Sequence, residues 1–302
     1  MNALQLPLLF QAAFCEPVAL ELSTYYNLAA FLLPRMTGKA SALDLGEVLA
    51  ADKPHKFGHE RSGMARPRYD GMGQLVDGRY YNTLEGRSDV AIIPWKGMMV
   101  KNAGFFQEAC MGAVSHDRLA HAIAQARADK EIKAVIHDIN SPGGTVLGTP
   151  ELAASAAQLS REKMTYAFTD GVMASAAVYA GIQARETYLT PSAKIGSIGT
   201  IMGVLDDSVR MQMEGLKLEL FTAGTHKGIG SPGRSLTAED KKYLQSIVDF
   251  ANVDFLAALK AARPGVNEEA MTHAKVYTGR QAVAVGLADG LVSSWEDFVT
   301  LL

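Results

Sequence analysis

Three short stretches hold the residues whose types and spacing suit acyl-transfer chemistry. Ser175 lies in "TDGVMASAAVYAGIQ", residues 169–183, among alanines, glycines and small apolar residues. A serine placed where a helix opens just after a strand meets free backbone N–H groups that stabilise an alkoxide or a nearby oxyanion. The flanking Ala174, Ala176 and Ala177 leave room for a substrate chain, and they equally suit a close-packed helix. This segment alone leaves both readings open. It is not the G-x-S-x-G elbow of the α/β-hydrolases, because Gly171 lies four residues before Ser175.

The second stretch, "DINSPGGT", spans residues 138–145 between a strand pattern and a helix pattern. Gly143 and Gly144 can take positive φ and bring bare backbone N–H groups to a ligand. A tetrahedral intermediate needs such donors, each worth about 3–4 kcal/mol. An ordinary Pro-Gly turn is the plainer reading, but the end of a buried parallel strand is where α/β folds place ligands.

A serine nucleophile also needs a base. None of the seven histidines (His55, His59, His116, His121, His137, His226 and His273) falls in a recognisable triad context. A lysine serves if burial leaves it neutral. Lys227, in "FTAGTHKGIGSPG", is the only Lys, Arg, Asp or Glu from Phe221 to Gly233. Its plain reading is a solvated loop lysine, and the adjacent His226 stays open as an alternative base. "GIGSPG" formally matches G-x-G-x-x-G, but Pro232 and the polar residues after it make a poor strand–turn–helix unit. There is no HExxH, no Cys/His cluster and no Walker lysine, so no metal and no cofactor is expected.

The elements that must position these residues follow from periodicity. "DVAIIPWKG", "IKAVIHDIN" and "MTYAFTD" read as buried strands. "SHDRLAHAIAQARAD", capped by Ser115, and "GTPELAASAAQLSRE", with Pro150 in its first turn, read as helices. The helix that contains Ser175 follows the third strand. "DDSVRMQMEG" reads as helical and "LKLELFTAG" as a strand, and a long helix opens at Thr237 and Asp240 with a capping box. Alternating strands and helices give an α/β fold with a largely parallel sheet. Residues 1–33 read as apolar helical pieces and 34–88 as an extended arm rich in Gly, Pro and charge. The division expected is an N-terminal segment and arm, 1–88, and a catalytic domain, 89–302.

The bulk numbers permit this and exclude other classes. The chain has 302 residues, 48% hydrophobic and 20% charged, enough for a real core. The net charge of −3 gives no reason to expect a nucleic-acid or anionic-membrane partner. Two cysteines, Cys15 and Cys110, make no disulfide scaffold and fit a reducing compartment. No Lys or Arg precedes Arg35, so the N-terminus lacks the basic region of a signal peptide, and Glu16 and Glu21 break its apolar run. A cytoplasmic protein with no membrane anchor is expected.

The order "INSPGG", a small-residue helix with a serine, "KIGSIGTI", "TAGTHKG" and "VYTGRQAVAVGLADGLV" resembles the S49 family of serine peptidases over about residues 88–298. That family includes the SppA-type signal peptide peptidases and the head-maturation proteases of tailed bacteriophages. The resemblance implies a crotonase/ClpP-like fold and a Ser/Lys dyad. Ser175 then matches the nucleophile, Lys227 the general base, and Ser197 the serine that orients the lysine. Gly143 and Gly144 match the oxyanion loop, with the N–H of Ala176 added, and Tyr277 to Asp289 match a structural motif. Two departures stand out: Ala176-Ala177 where relatives carry paired glycines, and His226 where many carry Tyr or Phe.

What the resemblance implies is a serine endopeptidase of the phage or prophage branch. Its substrates would be scaffold or capsid-internal polypeptides, and the arm at 34–88 a tether or autocleavage site. It would act in the host cytoplasm or the prohead interior, as a homo-oligomer. An SppA-like peptidase that degrades small peptides is the alternative within the family. The rivals outside it are an acyl-CoA hydratase or hydrolase using the same glycine loop, and a catalytically silent assembly protein. Dependence on a neutral Lys227 implies activity that falls as pH drops.

Overall fold

The computed structural model describes residues 79–103 and 112–302, and the backbone of one short strand, β1 (Val18–Leu20). Cys15, Cys110, His55, His59 and the arm up to residue 78 lie outside the described residues.

The main sheet is built on β3 (Arg87–Lys96), β6 (Ala134–Asn140), β8 (Met164–Thr169) and β10 (Glu186–Leu189), paired in parallel in that order. β13 (Gly290–Leu291) joins β10 in parallel, and β2 (Asn82–Leu84) joins β3 as the one antiparallel neighbour. Both faces are covered, so the strand sequences are apolar almost throughout. Alternation along each strand then assigns the faces. Ala91, Ile93 and Trp95 of β3 and Val135 and Ile139 of β6 share one core with α1 (His116–Ala128), α2 (Thr149–Glu162) and α3 (Ala176–Gly181). Val90, Ile92, Ile136 and Phe168 face the other way, onto Trp295 and Phe298 of α8 (Trp295–Val299). The result is the α/β class expected, a largely parallel sheet flanked by helices.

Helix ends follow local chemistry. Ser115 caps α1 by accepting from Arg118 N–H, and Pro150 occupies the first turn of α2. Thr237 and Asp240 close a capping box on α5 (Ala238–Ala262). The C-terminal motif packs as structure: Asp289 accepts from Thr187 N–H at 2.7 Å and pairs with Arg263 at 2.6 Å. α6 (Glu268–Thr272) and α7 (Gly279–Ala284) lie in this same region. No helix among the described residues is long and apolar enough to cross a membrane.

Two smaller sheets carry the residues of chemical interest. In one, β11 (Lys194–Gly196) lies parallel to β9 (Val172–Ala174) and antiparallel to β12 (Val276–Thr278). In the other, the order is β1, β7 (Gly143–Thr145), β4 (Met98–Val100) and β5 (Ala113–Ser115).

Three local expectations change. Val18–Leu20, read as part of a helical piece, is a strand, because it finds a backbone partner far away in sequence at β7. β9 intervenes between β8 and the helix at Ser175. "LKLELFTAG", read as a strand, has no regular structure over 216–222: its alternation fits a half-buried strand, but no sheet edge meets it there. The preceding helix α4 (Ser208–Met213) is formed as expected.

Candidate active site

Ser175 stands at the junction of β9 and α3, with φ 55° and ψ −118°. A non-glycine residue held at positive φ costs on the order of 1–3 kcal/mol and persists only where its surroundings impose it. Here three hydrogen bonds do so. Its N–H donates to Gly196 O at 2.8 Å, its C=O accepts from Tyr179 N–H at 2.9 Å, and its Oγ donates to Gly199 O at 3.4 Å. The last is long, so the hydroxyl is only loosely committed. Ser175 is fully buried, as are Ala174, Ala176 and Ala177, so these alanines pack in the core and do not line open space for a peptide.

The register of β9 and β11 explains how Ser197 arrives beside Ser175. Gly196 pairs with Ala174, so the two serines leave adjacent parallel strands at the same level. Ser197 is also at positive φ, 52°, and its N–H donates to Lys275 O at 2.8 Å. Gly196 must be glycine: its φ is +134°, and a Cβ there would lie 2.3 Å from Lys275 O.

The glycine loop is tied to the same strand. Ser141 N–H donates to Val172 O at 2.7 Å, and Ala174 N–H donates to Ser141 O at 3.0 Å. Ser141 is therefore clamped along β9, just before Ser175. Two residues on, Gly143 has φ 102° and donates its N–H to Ser141 Oγ at 3.2 Å. Gly144 pairs with Met99 so closely that a Cβ would meet Met99 O at 1.7 Å. α3 packs on β7. The structure thus gathers Ser175, Ala176, Ser197, Gly143 and Gly144 around two strand ends.

Lys227 is placed differently. It is exposed, on a run of turns over 225–230, and its backbone N–H donates to Gly224 O at 3.2 Å. Ser175 Oγ donates to a backbone carbonyl, that of Gly199, and among the described residues does not meet this amine. The neighbouring His226 is anchored. Its Nδ1 lies 3.0 Å from Asp240, and its ring stacks on Tyr243 with centroids 4.4 Å apart. Asp240 is buried and also takes Arg234 at 2.7 Å. The bond from His226, with those of the Thr237 cap and the Arg234 charge, holds its carboxyl down at about 2. This cluster pins the lysine loop to the start of α5.

Two other histidines lie in the core. His137 is fully buried, with its ring 5.0 Å from that of Trp95, and burial pushes it down to about 4. His116, bonded through Nε2 to Thr149 Oγ1 at 3.1 Å, is likewise pushed down to about 4, chiefly by burial. Sequence reading missed Ser141, Gly199 and Asp240 as parts of this arrangement. Ser141 and Gly199 stood inside motifs that had been noticed, "INSPGG" and "KIGSIGTI", but only a register places their backbones at the serine.

Residues 157–302 match Peptidase family S49, a span that takes in Ser175, Ser197 and Lys227 but not the glycine loop. The chain is 28% identical over 285 residues to the head-tail preconnector protein GP5 of Enterobacteria phage P21, covering 94% of this chain and 54% of that protein. It is 28% identical over 226 residues to the capsid assembly protease C of Escherichia phage lambda, covering 74% and 50%. The chain thus spans about half the length of the curated relatives it matches. Among solved structures it is similar to a lysine-to-alanine mutant of the 1510-N membrane-bound stomatin-specific protease in complex with a substrate peptide. That match has a TM-score of 0.42 and 15% identity, covering 70% of this chain and 78% of the other.

Proposed function

We propose that this chain is a serine endopeptidase that acts in phage capsid maturation, with Ser175 as nucleophile and Lys227 as general base. The observation that carries the chemistry is Ser175 itself: a strained serine within the span that matches Peptidase family S49, held beside Ser197 at the ends of paired strands. The capsid setting is supported by the names of the two phage relatives. The catalytic unit proposed is residues 89–302, with β2 joining its sheet from the N-terminal side.

An extended peptide adds as a strand beside the glycine loop. Neutral Lys227 takes the Ser175 proton as Oγ bonds to the scissile carbonyl carbon. The carbonyl oxygen, now an oxyanion, accepts from the N–H groups of Gly143, Gly144 and Ala176. The Gly143 N–H first leaves Ser141 Oγ, which turns away. Lys227 returns the proton to the departing amine, the C–N bond breaks, and water repeats the cycle on the acyl-enzyme. Because Lys227 is exposed and Ser175 is buried, the lysine loop must close over the serine before the first step. Closure also removes the amine from water, which favours its neutral form.

α4 and the segment that leads into the Lys227 turns expose Val209, Met213 and Phe221 at 68%, 84% and 93%. Apolar side chains this exposed support a homo-oligomer in which a second copy covers them. Polypeptides of the capsid or its scaffold are the substrates proposed. A second reading keeps His226 as the base, because its Nδ1 bond to Asp240 is the arrangement that orients an imidazole for proton transfer. Cleavage of an unstructured protein tests both. Both readings require loss in Ser175→Ala; loss in Lys227→Ala with retention in His226→Ala supports the lysine, and loss in His226→Ala with retention in Lys227→Ala supports the histidine. Full activity in Ser175→Ala sinks the proposal.

A further inference from the structure

β7 begins two residues after Ser141, the residue clamped on the strand that delivers Ser175. One edge of β7 is taken by β4. The other edge would offer free N–H and C=O groups, the template on which an extended peptide adds as a strand. That edge is occupied by this chain's own β1. Val18 pairs with Thr145, Ala19 with Gly144 and Leu20 with Gly143, antiparallel. β1 is three residues long, stands at the end of its sheet, and has β7 as its only strand partner among the described residues. So short a ladder, paired on one side only, is readily exchanged for another strand.

We propose that Val18–Leu20 is a built-in occupant of the peptide edge, which a substrate must displace before Ser175 can act. This rests on the reading of Ser175 as nucleophile. Two features fit an exchangeable ligand better than a fixed strand. Two of the three β7 partners, Gly143 and Gly144, have no side chains, so pairing depends on backbone alone and tolerates any extended sequence. The direction is also set: β1 runs from Thr145 towards Gly143, the end nearest Ser141 and the serine. A substrate in the same register lays its N-terminal side on Thr145 and presents its continuation to Ser175. Occupancy in cis makes the edge available only part of the time. If it is free about a tenth of the time, KM rises about tenfold.

The test uses the full chain. Successive N–H groups along a strand point to opposite sides, so one of Ala19→Pro and Leu20→Pro must remove a ladder bond. Three readouts are taken on each variant: hydrogen exchange at the Gly143–Thr145 amides, cleavage of an unstructured protein, and the effect of a synthetic peptide of residues 14–24. The expected result is a variant with unchanged thermal unfolding, faster exchange at those amides and a KM lowered about tenfold. The peptide restores protection and inhibits competitively, and a scrambled peptide does neither. Unchanged exchange in both variants overturns the proposal. So does loss of cooperative unfolding in both, which makes β1 structural, and so does a peptide that fails to bind. If the wild type cleaves nothing, the reading of Ser175 fails by itself. Exchange and peptide binding in a Ser175→Ala background still decide the occupancy.

Discussion

The serine side and the lysine side of the candidate site are built to different standards. Ser175, Ser197 and Gly196 sit at the ends of paired strands, with positive φ values fixed by hydrogen bonds. Lys227 sits on exposed turns, with its neighbour His226 moored to Asp240 and its own side chain exposed. In the proposed reading the nucleophile is preorganised, whereas the Gly143 N–H must leave Ser141 Oγ and the base is delivered by a loop that has yet to close. Strain of this kind survives only on a rigid frame, and a group that must move cannot sit on one.

The largest expected effects come from breaking either half chemically. Ser175→Ala and Lys227→Ala should each lower kcat by roughly a thousandfold or more. Their stabilities should differ. Lys227→Ala stays within about 0.5 kcal/mol of wild type because the side chain is exposed. Ser175→Gly, equally inactive, should gain about 1 kcal/mol from relief of its backbone. Denaturant titration beside steady-state kinetics reads both.

Backbone substitutions sharpen the contrast. Gly196→Ala forces a Cβ against Lys275 O and should cost about 3 kcal/mol or more. Gly230→Ala, in the lysine loop, meets nothing within 4 Å; only its φ of +76° counts against it, about 1 kcal/mol. Equal costs would mean that the two regions are equally rigid.

Much of the serine side was legible in the sequence, and the lysine side less so. The buried strands, the Ser115 cap and the Thr237–Asp240 box are local signals, and local signals survive into the fold. The strain at Ser175 was not legible, because a run of small residues reads the same in a packed helix. The strand at Val18–Leu20 was hidden because its partner is remote, and "LKLELFTAG" misled because alternation names a face without supplying a neighbour. Lys227 stood out as the only charge in its stretch, but no spacing says how near a loop comes to a serine.

Acid should loosen the core before it affects the Asp240 mooring. His137 and His116 titrate near 4 in the folded chain against 6.5 when unfolded, so the unfolded chain binds protons first. Their stabilisation is complete above pH 6.5 and is lost as pH falls towards 4, on the order of 3 kcal/mol each. Asp240 runs lower: its carboxylate stabilises above its ordinary 3.8, and that is lost only as pH falls towards about 2. His137→Leu should therefore flatten the dependence of Tm on pH between 6.5 and 4, and Asp240→Asn should leave that window unchanged. The smallest effect on fold stability is expected at the exposed apolar face. Phe221→Ser should barely change the unfolding free energy yet shift the mass measured by light scattering towards the monomer.

One measurement bears most directly on a prebuilt nucleophile served by a mobile base. A serine-reactive phosphonate probe is incubated with the wild type and with Lys227→Ala, and the adduct is mapped by mass spectrometry. The expected result is a single adduct on Ser175, strongly reduced in Lys227→Ala although Ser175 keeps its place in the fold. An adduct on another serine, or labelling of Ser175 that is as fast without Lys227 as with it, would contradict the Ser175/Lys227 assignment.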